Sequence, residues 1–218
     1  MNSYPSTIHG IDLRTTQPGT HPRSSGIHLS SIIRHIALKT GELAKEYGVG
    51  PGLTEMIATL NPQQAASCGP IVKASIGLAW EHWLAARVQG LNHQPGELIW
   101  DGIIGSPDGI GEEWMGDQPN ELRFIIHEFK ATWKSSAYPV TDQWMWMAQC
   151  MGYCYMLGKE MEEPVTTCVL HPVYMCGDYR SNRDPIYKPT IIEFDQQELE
   201  MNWQLIMDNK NNVLPEVW

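Results

Sequence analysis

Residues 121–132, Glu-Leu-Arg-Phe-Ile-Ile-His-Glu-Phe-Lys-Ala-Thr, constrain the fold more than any other stretch of the chain. The run is strand-like, and side chains two apart on a strand share a face. Glu128 and Lys130 therefore project with Phe124 and Ile126, so an acid and a base follow apolar neighbours into one pocket. Such a pair is either a structural ion pair or a device for positioning a metal-bound water. A bare Glu-x-Lys does not choose between them, since many exposed strands contain one.

The flanking patterns place this strand in an α/β domain. Residues 1–29 are rich in Ser, Thr, Pro, Gly and His without periodicity and read as an irregular arm. Ser30 or Ser31 is expected to cap a helix with the stripe Ile32, Ile33, Ile36 and Ala37, faltering near Gly41. A short helix is predicted over 53–60. A longer one covers 71–89, with Ala74, Gly77, Leu78, Glu81, Leu84, Ala85 and Val88 on one face and Gly90 as terminator. Strands are predicted at 97–104 and 121–132, separated by an acidic loop at 111–120. A helix over 141–158 stopped by Gly158, strands at 165–175 and 189–194, and a last helix follow. Asp195 and Glu198 form a capping-box start for that helix, whose stripe is Leu199, Asn202, Trp203 and Ile206. No internal repeat or separating linker is visible. At 218 residues, residues 30–218 read as one domain with an ample core.

Four groups of residues carry potential chemistry. Glu81 falls on the apolar face of its helix, so it must be protonated, salt-bridged or metal-bound, unless it sits at the edge of the stripe and reaches solvent. Gly105-Ser106-Pro107-Asp108-Gly109 presents Asp108 in a sharp bend, although Pro-Asp-Gly is also an ordinary turn. Glu128 and Lys130 are the third group. Gln149 and Tyr153 stand one helical turn apart and both face the strands. They suit orientation of a phosphate or of the lysine, or else decorate a helix rich in Trp and Met.

In order and spacing, Gly-x-x-x-Glu, Ser-Pro-Asp-Gly, Glu-x-Lys and Gln-x-x-x-Tyr resemble the PD-(D/E)xK nuclease superfamily across residues 76–155. Ala79-Trp80-Glu81, Ser106-Pro107-Asp108-Gly109 and Gln149 look most like its phage lambda exonuclease and YqaJ recombinase branch; RecB-type nucleases share the Gln-x-x-x-Tyr. The resemblance implies a restriction-endonuclease-like core, a central mixed β-sheet flanked by helices. It implies a metal-dependent DNA exonuclease in which Asp108, Glu128 and the Phe129 carbonyl bind one or two Mg²⁺ or Mn²⁺ ions, with Glu81 completing the set. Lys130 would orient or activate the attacking water, supported by Gln149 and Tyr153. Ser30, Ser31, Arg34 and Lys134 are candidate DNA contacts. Carboxylates and carbonyls suit these hard cations, which acidify water and neutralise the phosphate. Implied partners are the 5′ or 3′ end of a linear duplex, a single-strand annealing protein, and further copies of the chain in a trimer. The alternatives are an endonuclease of the same superfamily, for restriction or junction cleavage, and an inactive nucleic-acid-binding module.

Composition bears on these readings. The net charge of −10 argues against a broad basic footprint for nucleic acid. The acids are concentrated, however: residues 1–50 hold five basic and three acidic side chains, and residues 135–218 five and twelve. Binding is then expected in a local channel. Five cysteines at no disulfide-scaffold spacing, and no secretory start, suggest a reducing, cytoplasmic setting. Cys68, Cys150, Cys154, Cys168 and Cys176 do not match the spacing of nucleases that hold an iron–sulfur cluster and read as free thiols, with a zinc site as the alternative. No apolar run is long enough for a membrane span. Of the nine Trp, most are expected in the core or an interface, and some could stack on unpaired bases.

Overall fold

Leu122–Thr132 forms one eleven-residue strand, and from Phe124 to Phe129 every side chain on it is buried. A strand covered on both faces needs layers on each side, and the surrounding elements supply them. The structure, a computed structural model, describes residues 7–8, 11–12, 24–42, 68–88, 91–114 and 122–215. In chain order the elements are β1 (Thr7–Ile8), β2 (Ile11–Asp12), β3 (Ile27–His28), α1 (Leu29–Thr40), α2 (Cys68–Ala85), β4 (Asn92–His93), β5 (Leu98–Trp100) and β6 (Ile103–Gly105). They continue with β7 (Gly109–Trp114), β8 (Leu122–Thr132), α3 (Trp144–Met161), β9 (Thr167–Tyr174), β10 (Ile186–Tyr187), β11 (Thr190–Glu193) and α4 (Gln196–Asn209).

Among the described residues, β4, β7, β8, β9 and β10 run side by side in one sheet, and β11 also pairs with β9. The sheet is mixed. β8 and β9 are parallel, from Ile125 opposite Thr167 to Thr132 opposite Tyr174, and α3 makes the crossover between them. The β4–β7 and β7–β8 pairings are antiparallel. A second sheet joins β3, β6 and β5. Helices α1, α3 and α4 pack together around Leu29, Ile32, Ile36, Met156, Leu199 and Ile206, all buried. The fold is therefore mixed α/β, with helices against the sheets.

Helix α4 begins as its sequence dictates. Asp195 Oδ1 accepts from the Glu198 N–H at 2.7 Å, and Glu198 Oε2 accepts from the Asp195 N–H at 3.0 Å. Its stripe of Leu199, Asn202, Trp203 and Ile206 is buried.

Several boundaries differ from the sequence expectations, each for a physical reason. The expected strand at 97–104 is a hairpin: Asp101 and Gly102 take φ of 50° and 68°, the two positive values a tight primed turn demands. Strand β7 covers 109–114, so residues 111–114, assigned from sequence to the acidic loop, are strand. Glycine is poor in strands, but a Cβ on Gly111 would lie 2.6 Å from His127 Nε2, so close approach to β8 overrides propensity. Helix α3 does not stop at Gly158 but runs to Met161, ending at Glu162 with φ 58°. Gly158 serves close approach, because a Cβ there would meet the Glu163 carbonyl oxygen at 3.0 Å. Neither Ser30 nor Ser31 caps α1. The helix opens at Leu29, with extended His28 at the cap position and no side-chain cap bond. Ile27 and His28, within the segment read as an irregular arm, pair with β6. The expected helix at 53–60 and the terminator Gly90 lie outside the described residues.

Candidate active site

One cavity of about 460 Å³ is lined by Glu81, Asp108, Glu128, Phe129, Lys130, Gln149 and Tyr153, together with His28, Ser30, Gly77, Ile104 and Ser106. Three elements and one bend supply the chemistry. Alternation along β8 turns Glu128 and Lys130 the same way. The bend after β6 delivers Asp108, and α2 delivers Glu81. From α3, Gln149 and Tyr153 point back at the sheet, one turn apart.

The side chains are wired to one another. Asp108 Oδ2 accepts the Phe129 N–H at 2.7 Å, which ties the bend to the centre of β8. Lys130 Nζ donates to Glu128 Oε1 and, at 3.1 Å, to Gln149 Oε1. Gln149 Nε2 donates to the Tyr153 hydroxyl at 2.8 Å. Glu128 is 2% exposed, and its second oxygen, Oε2, is buried without a hydrogen-bond partner. The Ser106 hydroxyl is likewise buried and unpartnered.

Burial, reinforced by the charge of Glu128, pushes the Asp108 carboxyl well above its ordinary value, although Lys130 and the Phe129 N–H pull the other way. Two carboxylates converging in a poorly hydrated space resist joint ionisation. Burial acts to lower the Lys130 ammonium, but Glu128 and Asp108 outweigh it and hold the lysine above its ordinary value. Lys130 is thus a fixed positive charge in the cavity.

Glu81 is neither free nor at the solvent edge. Its Oε1 meets His93 Nε2 at 2.8 Å and accepts from Gln94 Nε2 at 3.0 Å. No motif reveals these two partners. They come from the end of β4 and the residue after it: the pairing sets His93 opposite Gly109, and the Gln94 N–H donates to the Asp108 carbonyl at 2.9 Å. Only the sheet register brings residues twelve positions apart in sequence onto one carboxylate.

Among the described residues, no three His, Cys, Asp or Glu side chains converge as a ready-made metal cage. The donors at hand are two carboxylates, Asp108 and Glu128, one with an orphaned oxygen. That set fits a hard cation such as Mg²⁺ or Mn²⁺, which keeps several waters and takes few protein ligands. The Phe129 main chain borders the same cavity.

The candidate DNA contacts are not all brought together. Ser30 lines the cavity, while Ser31, Arg34 and Lys134 are not part of its lining. Arg34 is exposed on α1, and Lys134 donates to Gln143 and lies 5.4 Å from the Trp146 ring centroid. Cys150, Cys154 and Cys168 are buried free thiols; burial raises Cys154 and Cys168. Cys176 is a free thiol, partly exposed.

No protein-family model matches the chain, and no curated protein matches it. Solved structures similar to it include that of SSO0001, 15% identical over 89% of this chain and 81% of that one, with a TM-score of 0.43. Another is LHK-Exo in complex with dAMP, 13% identical over 86% of this chain and 88% of that one, with a TM-score of 0.41. What the cavity can do therefore follows from its own side chains. Among the described residues, no helix is long and apolar enough to cross a membrane.

Proposed function

We propose that this protein is a Mg²⁺- or Mn²⁺-dependent deoxyribonuclease that hydrolyses phosphodiester bonds of linear duplex DNA from an end. The observation that carries the reading is the divided role of Glu128. One of its oxygens anchors Lys130, while the other is left without a partner in a cavity shared with Asp108. Asp108 and Glu128 would hold the cation with the Phe129 carbonyl, and Glu81, fixed by His93 and Gln94, would complete the set directly or through water. When bound, that cation would acidify water and neutralise charge on the phosphate.

The chain's own residues do the rest. Lys130 would orient or activate the attacking water and place positive charge against the scissile phosphate. Glu128 and Gln149 hold its Nζ in place, and Tyr153 fixes the Gln149 amide in turn. By resemblance, the single strand left behind would pass to an annealing partner, and the working form would be a ring of copies.

The expected result for Asp108→Asn and Glu128→Gln is a loss of Mg²⁺-dependent cleavage of roughly a thousand-fold or more, about what removing metal-based stabilisation costs. Both substitutions keep hydrogen-bonding shape, so circular dichroism should report an intact fold. Undiminished cleavage in either variant overturns the site. End-labelled linear duplex beside closed circular plasmid tests the mode of attack. Digestion of the linear DNA alone supports the exonuclease, and nicking of the circle supports an endonuclease.

A further inference from the structure

On α2, which also carries the cavity carboxylate Glu81, lies an aromatic surface that the chemistry above does not use. Trp83 is 49% exposed and Tyr187 41% exposed. Trp80 stands between them, stacked on Trp83 with centroids 5.4 Å apart and 19° between planes, and edge-on to Tyr187 at 5.3 Å. The array is locked from beneath. Trp80 Nε1 donates to the His171 carbonyl at 3.3 Å, and the Tyr187 hydroxyl meets His171 Nδ1 at 2.8 Å. His171 in turn stacks on buried His127 at 5.1 Å. The Arg87 guanidinium lies 3.9 Å from the Trp83 ring centroid.

We propose that Trp83, Tyr187 and Arg87 form a stacking platform for unpaired bases of single-stranded DNA. Three features select this occupant. The rings are exposed yet already immobilised, so little ordering entropy is lost when a flat ligand settles on them. From residue 68 to residue 96 the sole acid is Glu81, which turns into the cavity, in a chain of net charge −10. Around Tyr187, Arg183 and Lys188 outnumber Asp184. A surface that joins π faces to local cations in an otherwise acidic molecule matches a polyanion with exposed bases. Trp83 follows Glu81 by two residues, about 200° round α2, and packs with Trp80 toward β10, so the platform lies on a different side of that helix from the cavity. The inference rests on the nuclease reading for its choice of DNA as the polyanion alone.

The test is fluorescence anisotropy with a labelled oligothymidylate of about fifteen nucleotides and a blunt duplex of equal length, in chelator at low salt. Unmodified protein should favour the single strand, and binding should quench indole fluorescence. Trp83→Ala should weaken single-strand binding about ten-fold, the loss expected for one stacked base. Trp83→Phe should restore most of it, and Arg87→Gln should weaken it further at low salt than at high salt. Equal affinity of Trp83→Ala and unmodified protein, or no quenching, overturns the proposal. So does a Trp83→Ala protein that loses self-association in sedimentation, which would make the patch an interface between copies. Cleavage failing while metal-free binding persists counts against the nuclease reading alone. Intact cleavage without single-strand preference counts against the platform alone.

Discussion

At the scale of single residues, Asp108 shows how a reactive arrangement conflicts with stability. Its carboxyl is held well above the ordinary 3.8 by burial and by Glu128, so the folded protein binds its proton more tightly than the unfolded chain does. Stability from this group is then fully present at low pH and declines as pH rises above the unfolded value. Asp108→Asn removes the conflict while its carbonyl oxygen still accepts the Phe129 N–H. The metal-free variant should gain about 1 kcal/mol near neutral pH, the usual scale for relieving strain at a functional site. Differential scanning calorimetry checks this, and a lowered melting temperature would make Asp108 a structural residue. Asp108, Glu128, Lys130, Gln149 and Tyr153 are each ambiguous in their local patterns and could be picked from sequence only by the resemblance of their combined order to a known family; the structure brings them to one cavity. His93 and Gln94 could not, because a sheet register, not a motif, carries them to Glu81.

At the scale of elements, local signals worked where the element makes its own decisions. The α4 start is such a case, since Asp195 and Glu198 satisfy each other's backbone without outside help. Asp195→Ala should cost about 1 kcal/mol in urea unfolding, the typical worth of an N-cap. Asp195→Asn should recover most of that loss. A cost well under 0.5 kcal/mol for the alanine variant would show that packing of Leu199, Trp203 and Ile206 sets the helix alone. Strand β7 is the opposite case. Gly111-Glu-Glu argues for a loop, yet the segment pairs with β8 along its whole length, and Gly111 allows the close fit beneath His127. Helix α1 keeps its expected stripe and its end at Gly41, but its start escaped local reading, because Ser30, a good cap by type, instead lines the cavity.

At the scale of the whole molecule, the sheet carries opposed titrations on neighbouring strands, and their balance predicts the acid response. Burial lowers His127 to about 4, and burial with the nearby His127 lowers His171 to about 3, against an ordinary 6.5. Both rings are neutral in the folded protein and protonated in the unfolded chain between those values. The unfolded chain therefore takes up more protons as pH falls from 6.5 towards 3, and stability drops across that window. Asp108 acts in the other direction over part of it, as derived above. Two histidines against one carboxyl leave a net rise in melting temperature from pH 4 to pH 6.5 in metal-free protein. The rise should be steeper in Asp108→Asn, where the opposing group is gone, and shallower in His171→Gln, where one histidine is removed but a donor and an acceptor remain. Mg²⁺ added near pH 7.5 should raise the melting temperature of the unmodified protein through binding to the folded state, and raise that of Asp108→Asn much less. A flat profile from pH 4 to 6.5 in Asp108→Asn, where nothing offsets the histidines, would mean that His127 and His171 are hydrated and titrate alike in both states. An equal Mg²⁺ shift in the two proteins would place the cation away from Asp108.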